Sequence, residues 1–382
     1  MIVIADDITG AAEIAGIAFS QGQQVRLRCN SSVNCDTVAV NETTVIATDT
    51  RSMSEAEAVA ETQRIILPLY LEGDGGRLLF KKNDSALRGH VVAELSALME
   101  TTGYQRAVYL PANPSKGRVI KNGTYYINNV PIHETAFSYD PEFPAKTSVL
   151  KERFPDAESK GIIMPDATSL EDIRRVIAEY NDGHTLFAGA ADLFSALDHG
   201  NHGDGSPDYS RLTTTDQENR PHDPLTSKNT LILCGSTQSK PLDLGIPICP
   251  MPKEIYDGSD DLTLWDASAY SEAHSLILTI PYTHRTGKEV AVHLRTVMAE
   301  MAKRLITTHY LPLYLEGDGG RLSLIIEGGA TAWATLQALG WTDFTITAQL
   351  APGVVQMKSV TTGTLVTLKP GSYPWGNLFS AG

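Results

Sequence analysis

The chain has 382 residues, enough for two domains with cores of their own, and its 42% hydrophobic and 20% charged residues are those of a globular protein. A formal net charge of −14 disfavours nucleic acid and anionic membranes as partners, and an anionic substrate would need a local cluster of cations. No apolar run approaches the roughly 18 residues of a membrane helix, no signal-like leader opens the chain and the four cysteines form no CxxC pair, so a cytoplasmic protein with reduced thiols is expected.

IVIAD at Ile2–Asp6 reads as a buried strand, and GAAEIAGIAFSQG as a helix capped by Thr9. Strand-like runs follow as TVIATD, LLFKKND, RAVYLPA, GIIMPDAT and HTLFAGA. Helical stretches lie between several of them, such as SLEDIRRVIAEYND behind a Ser169 cap. Strand and helix in alternation predict a largely parallel sheet covered on both faces. From about Asp198 to Asn229 the pattern gives way to a polar stretch rich in Gly, Pro, Asp and Asn, which reads as a linker or long loop. The rhythm resumes with TLILCGS, SLILTIPYT, the helical VAVHLRTVMAEMAKRLI, LSLIIEGG, TAWATLQALGW and VTLKP. The expectation is two α/β domains with largely parallel or mixed sheets, residues 1–197 and 230–382, joined by 198–229.

LPLYLEGDGGRL occurs twice, at Leu67–Leu78 and Leu311–Leu322. A phosphate-binding loop needs GxxxxGK[ST] between a strand and a helix, so that backbone N–H groups point at phosphate. The repeated stretch has no such lysine and precedes a strand, so it reads as a turn. The strands it feeds end in KKNDSALRG and EGGATA, and open α/β sheets bind ligands beyond the carboxyl ends of their strands.

Asp6 and Asp7 close the first strand. One of two adjacent carboxylates can hold a hydroxyl while the other takes its proton, although either can simply cap the helix. Lys82, Asp84 and Arg88 form a second constellation, with Arg88 offering a planar fork for a substrate carboxylate. Lys116, Arg118 and Lys121 lie in PANPSKGRVIKNGTYYINNVPIHETAFSYDPEFP, a stretch with a hairpin-like NNV turn. They are candidates for the cation cluster that the acidic background requires, or for a basic hairpin facing solvent. In the second half, Gly235-Ser236-Thr237, Gly328-Gly329-Ala330-Thr331 and the Lys369–Gly376 turn together suggest a nucleotide site, because glycines let backbone approach phosphate. The ten histidines show no HxH or HExxH spacing, so a metal would arrive with a nucleotide. No GxSxG is present, and no GxGxxG follows the first strand.

ADDITGAAE (5–13), KKNDSALRG (81–89), PANPSKGRVIKNGTYYINNVPIHET (111–135), PDATSLEDI (165–173), GGATA (328–332) and APGVVQMKS through LKPGSYPWG (351–376) occur in one order along nearly the whole chain. In this the sequence resembles the four-carbon acid sugar kinases. The resemblance implies an N-terminal domain that binds a sugar acid, a C-terminal domain that binds ATP with Mg²⁺, and an active site in the cleft between them. The reaction it implies is γ-phosphoryl transfer to the terminal hydroxyl of a threonate, erythronate or 3-oxo-tetronate. It implies that Asp6, Asp7, Lys82, Asp84 and Arg88 serve the acid, and that Ser236, Gly328, Gly329, Ala330, Thr331 and Gly371 line the nucleotide site. Ala330 stands where the family often has an acid, the closing turn Gly371–Gly376 is longer, and Cys234–Gln238 departs from a serine-rich turn. Two other readings stay open: a non-catalytic protein that binds ATP and a sugar acid, and a sugar-acid dehydratase or aldolase. The identity of the acid and a homodimeric state also stay open.

Overall fold

The computed structural model describes residues 1–29, 42–71, 78–140, 142–197, 229–235, 242–270, 272–310, 322–371 and 375. The chain divides into two compact units, Met1–Asp208 and Tyr209–Gly382.

The first unit runs β1 (Ile2–Ala5), α1 (Ile8–Ser20), β2 (Gln24–Cys29), β3 (Glu42–Ala47), α2 (Glu55–Leu71), β4 (Leu79–Lys82), α3 (Val91–Thr102) and β5 (Arg106–Leu110). A three-stranded antiparallel insert follows, β6 (Arg118–Lys121), β7 (Thr124–Ile127) and β8 (Val130–Pro131). The unit continues with α4 (Leu150–Arg153), β9 (Ile162–Ile163), α5 (Leu170–Tyr180), β10 (Thr185–Gly189) and α6 (Ala191–Ala196). Its main sheet is parallel, in the order β2-β3-β1-β4-β10-β5-β9. A strand inside such a sheet is covered on both faces, which is why β1 is apolar throughout and does not alternate.

From β1 the chain crosses to one side, through α1 to β2. From β4 it crosses to the other, through α3 to β5. The strand order therefore reverses between β1 and β4, the place where a doubly wound sheet opens a ligand crevice. Asp6 and Asp7 leave β1 there, and residues 83–88 leave β4 there.

Asp7, not Thr9, caps α1. Its backbone is extended (φ −147°, ψ 162°) and its Oδ1 accepts from the Gly10 N–H at 2.9 Å. Thr9 is already inside the first turn and donates its hydroxyl to the Asp7 carboxylate instead. Ser169 does cap α5, accepting from the Asp172 N–H. The insert turns at Asn122-Gly123 and again at Asn128-Asn129, all four at positive φ, the pairing that type I′ hairpins demand.

The second unit contains β11 (Asn229–Cys234), β12 (Ile248–Pro250), α7 (Lys253–Tyr256), β13 (Ser275–Thr279), α8 (Lys288–Leu305), β14 (Leu322–Glu327), α9 (Gly329–Leu339), β15 (Asp343–Ala351), β16 (Val354–Ser359) and β17 (Leu365–Lys369). Its order is β12-β13-β11-β14-β17-β16-β15, parallel from β12 to β17 and antiparallel beyond. On one face Ile232, Ile277 and Ile325 pack beneath Leu242, Leu244, Ile246 and Trp375. The polar stretch 198–228 and the glycines of both copies of LPLYLEGDGGRL lie outside the described residues. Among the described residues no helix is long and apolar enough to cross a membrane.

Candidate active site

Beyond the carboxyl ends of β1, β3 and β4 the first unit gathers acids and bases at close range. Asp6 is 0% exposed and is gripped by Arg51, whose Nε and Nη2 donate to Oδ2 and Oδ1, each at 3.1 Å. The same Nη2 lies 2.9 Å from Asp7 Oδ1, and Nη1 lies 3.8 Å from Asp84 Oδ1. One guanidinium thus faces three strand-end carboxylates. Arg51 is absent from the residues selected by sequence. Its only signal is its position just past TVIATD, the same strand-end criterion that selects Asp6 and Asp84.

Arg88 turns its fork inward. Nε donates to Asp84 Oδ2 at 2.8 Å and Nη2 to Asp84 Oδ1 at 3.0 Å, while Nη1 reaches Asp140 Oδ2 at 3.4 Å. The loop that presents it is strained, with Leu87 at φ 63° and Gly89 at φ 93°. Arg153 pins the Leu87 carbonyl, its Nη2 donating at 2.9 Å. Lys82 Nζ stands 3.6 Å from Glu13 Oε2, and Lys116 pairs with the other oxygen of that carboxylate. Gly10 makes room for these groups: a Cβ there would lie 2.6 Å from Asp7 Oδ1 and 3.1 Å from Lys82 Nζ.

The cation cluster expected from sequence is therefore assembled, but carboxylates from the same unit balance most of it. Arg118 differs. It donates to Ser85 Oγ and lies 5.7 Å from the Phe137 ring centroid, with no carboxylate partner among the described residues. Lys121 is exposed beside the Asn122-Gly123 turn, and no described contact ties it to the cluster. Behind the site a buried pair, Lys81 Nζ to Glu94 Oε1 at 2.7 Å, joins β4 to α3, and Thr50 donates to the same oxygen at 2.6 Å.

The two adjacent aspartates titrate in opposite directions. Burial raises Asp6 above the usual carboxylate range, and Arg51 only partly opposes it. Burial pushes on Asp7 too, but Arg51, Lys82 and the Thr9 hydroxyl outweigh it and hold Asp7 low. Asp84 is buried as well, yet Arg51 and Arg88 keep it well below the usual range. Asp7 and Asp84 are thus carboxylates at neutral pH.

In the second unit the parallel register sets Cys234, Glu327 and Lys369 side by side at the carboxyl ends of β11, β14 and β17. Glu327 Oε1 accepts from Lys369 Nζ at 2.5 Å, both side chains are 0% exposed, and Glu327 Oε2 has no partner. Lys369 Nζ also sits 4.5 Å from the Trp375 ring centroid. Gly328, at φ 95°, caps α9 without a side-chain bond, leaving the first-turn N–H groups directed outward. Gly235 lies so close to Thr331 that a Cβ would stand 2.0 Å from Oγ1. Ala330 is exposed, Thr331 is buried and Gly371 follows β17, so Gly328, Gly329, Ala330, Thr331 and Gly371 do cluster at one end of this sheet. Ser236 lies outside the described residues. Burial, with Glu327 nearby, pushes the Cys234 thiol up to about 12, which makes it a poor nucleophile. Among the described residues no three His, Cys, Asp or Glu side chains converge as a metal cage.

Acids and bases gathered at a sheet switch point in one unit, and a glycine-lined helix start at strand ends in the other, mark a two-unit α/β protein. The family model described as the sugar-binding N-terminal domain matches residues 1–156. A 3-oxo-tetronate kinase of Brucella melitensis is 27% identical over 97% of this chain and 92% of its own length. A D-threonate kinase of Salmonella typhimurium is 29% identical over 52% of this chain and 53% of its own length, about half of each. A crystal structure of a Haemophilus influenzae protein covers 99% of this chain and 98% of its own, with TM-score 0.65 at 20% identity, a likeness of fold alone. By these likenesses the chain is similar, along most of its length, to kinases of four-carbon sugar acids.

Proposed function

We propose that this protein is an ATP-dependent kinase that phosphorylates the terminal hydroxyl of a four-carbon sugar acid. The observation that carries the reading is the switch point, where Asp6, Asp7 and Asp84 converge on Arg51, Arg88 holds Asp84, Arg118 reaches Ser85 and Lys82 stands beside Glu13. The names of its relatives supply the substrate class. Arg118, which faces no carboxylate of its own, takes the carboxylate of the acid, with Arg88 beside it. Asp84 and Lys82 hold hydroxyls. Asp7, ionised and 17% exposed at its side chain, orients the attacking hydroxyl and accepts its proton. Asp6 is fully enclosed, so it acts by fixing Arg51.

The second unit suits the phosphates. The α9 start offers backbone donors at the positive end of a helix, Gly235 packs directly against Thr331 of that start, and Glu327 keeps an oxygen with no hydrogen-bond partner among the described residues at the same strand ends. Magnesium, bound with the nucleotide, would neutralise charge on the transferring group. Catalysis here is mostly positioning and electrostatics.

Coupled ADP release with Mg-ATP against threonate, erythronate and 3-oxo-tetronate tests the proposal. Release that depends on one acid is the expected result. Binding of ATP and an acid without release would instead favour a binding protein. Asp7→Asn should lower turnover at least ~100-fold while changing ATP affinity little. Asparagine caps helices as well as aspartate does, so α1 keeps its cap, and the denaturation midpoint should fall only by what the Asp7–Arg51 pair contributes. Unchanged turnover would remove Asp7 from the base role.

A further inference from the structure

From Lys81 to Arg88 every polar side chain has a partner except one. Lys81 meets Glu94, Lys82 meets Glu13, Asp84 meets Arg88 and Arg51, and Ser85 meets Arg118. Asn83 is 1% exposed, and neither Oδ1 nor Nδ2 of its amide has a hydrogen-bond partner among the described residues. Its backbone is fully used. The N–H donates to Gly189 O at 3.0 Å, and the carbonyl accepts from Lys82 Nζ at 3.1 Å. Asn83 therefore prolongs β4 beside β10, with its side chain on the face of the sheet that Lys81 shares.

An amide has capacity for about four hydrogen bonds. Enclosing one with none made is unfavourable, and leucine, of similar size, would fill the space without that cost. Folding alone thus gives no reason for asparagine here. A second orphan lies on the same face. Tyr109 aligns with Lys81 across β10, is fully buried and has no hydrogen-bond partner for its hydroxyl among the described residues.

We propose that Asn83 is a specificity residue of the sugar-acid site, its amide hydrogen-bonding a hydroxyl or oxo oxygen of the bound four-carbon acid. This rests on the sugar-acid reading of the crevice. The amide is enclosed in the free protein, so the entering acid must open the Asp84–Arg88 loop. Leu87, a non-glycine residue at positive φ, is the strained point at which that loop gives, and Gly89 beside it is free to turn.

The test uses the full chain, with calorimetric binding of D-threonate, D-erythronate and their 2-deoxy and 3-deoxy analogues to the parent and to Asn83→Leu. Thermal unfolding of both free proteins is followed in parallel. Asn83→Leu is expected to raise Tm by about 2 °C or more, because an unpartnered buried amide is removed. It is also expected to weaken binding of the preferred acid about tenfold. For the deoxy analogue that lacks the contacted oxygen the two losses should not multiply, since both remove the same bond. Losses that multiply for every analogue, or affinity within twofold of the parent, overturn the proposal whatever Tm does. If Asn83→Leu does not fold, Asn83→Ala carries the same comparison. A parent that binds neither these acids nor 3-oxo-tetronate overturns the sugar-acid reading itself, and this proposal with it.

Discussion

Arg51→Gln is expected to cost about 3–5 kcal/mol of stability, since it strands a carboxylate that has no exposed surface. Turnover should fall at least ~100-fold with it. The pH dependence gives the direction a signature. Burial already raises Asp6, and removing the guanidinium that opposes this raises it further. An acid whose pKa is higher folded than unfolded binds its proton more tightly in the native state. The variant's deficit is therefore largest above the folded pKa of Asp6, and it shrinks as pH falls toward the unfolded value near ~4. Asp7 and Asp84 behave in the opposite sense in the parent. Both are depressed, so they stabilise above the unfolded pKa, and that contribution is lost as pH falls through their folded values. Urea denaturation of parent and variant at pH 5 and pH 8 checks this. Adding Asp6→Asn to Arg51→Gln should recover much of the stability at pH 8 and none of the turnover. A single variant as stable as the parent at pH 8 would show that the three carboxylates do not depend on Arg51.

The second large effect concerns the enclosed pair Glu327–Lys369. Lys369→Met leaves Glu327 buried with its one ion-pair partner gone, and should cost about 3–5 kcal/mol. The double variant Glu327→Gln, Lys369→Met should return close to parental stability, because desolvating two charges offsets most of what their attraction contributes. Stability therefore does not account for the pair. Its place does: it joins the ends of β14 and β17, from which the α9 start and the Gly371 turn depart. ATP affinity in the double variant should fall at least ~10-fold, read by calorimetry beside the denaturation midpoint. Parental ATP affinity in a stable double variant would remove the pair from the nucleotide site.

Much of the first unit was legible in one dimension. Strand ends are local events, and a buried parallel strand reads as an apolar run, so IVIAD, LLFKKND and RAVYLPA announce both the sheet and the place where its polar residues emerge. The hairpin turns were legible because Asn and Gly tolerate positive φ. The cap of α1 was misread for a geometric reason: the helix begins two residues earlier than its small apolar run suggests, so Asp7 takes the cap and Thr9 supports it. The strand β2, with arginines at Arg26 and Arg28, gives little apolar signal, and it is recognised as a strand by its parallel pairing with β3 over its whole length.

Fold class and the acids and bases of the switch point follow from local pattern, because propensity, hydrophobic period and strand-end position are properties of short segments. Partnership does not. Arg51 lies 45 residues from Asp6, Glu327 42 from Lys369, and Lys116 103 from Glu13. Only the parallel register brings such residues within a few ångströms of one another. Burial then decides what each charge is for. The same fork that sequence assigns to a substrate carboxylate is held by Asp84. The adjacent aspartates are driven apart in pKa by unequal partners, and Asn83 is left as an amide with no hydrogen-bond partner among the described residues. Desolvation and pairing are three-dimensional quantities, and in this protein they separate the residues that hold the site together from those left to meet a ligand.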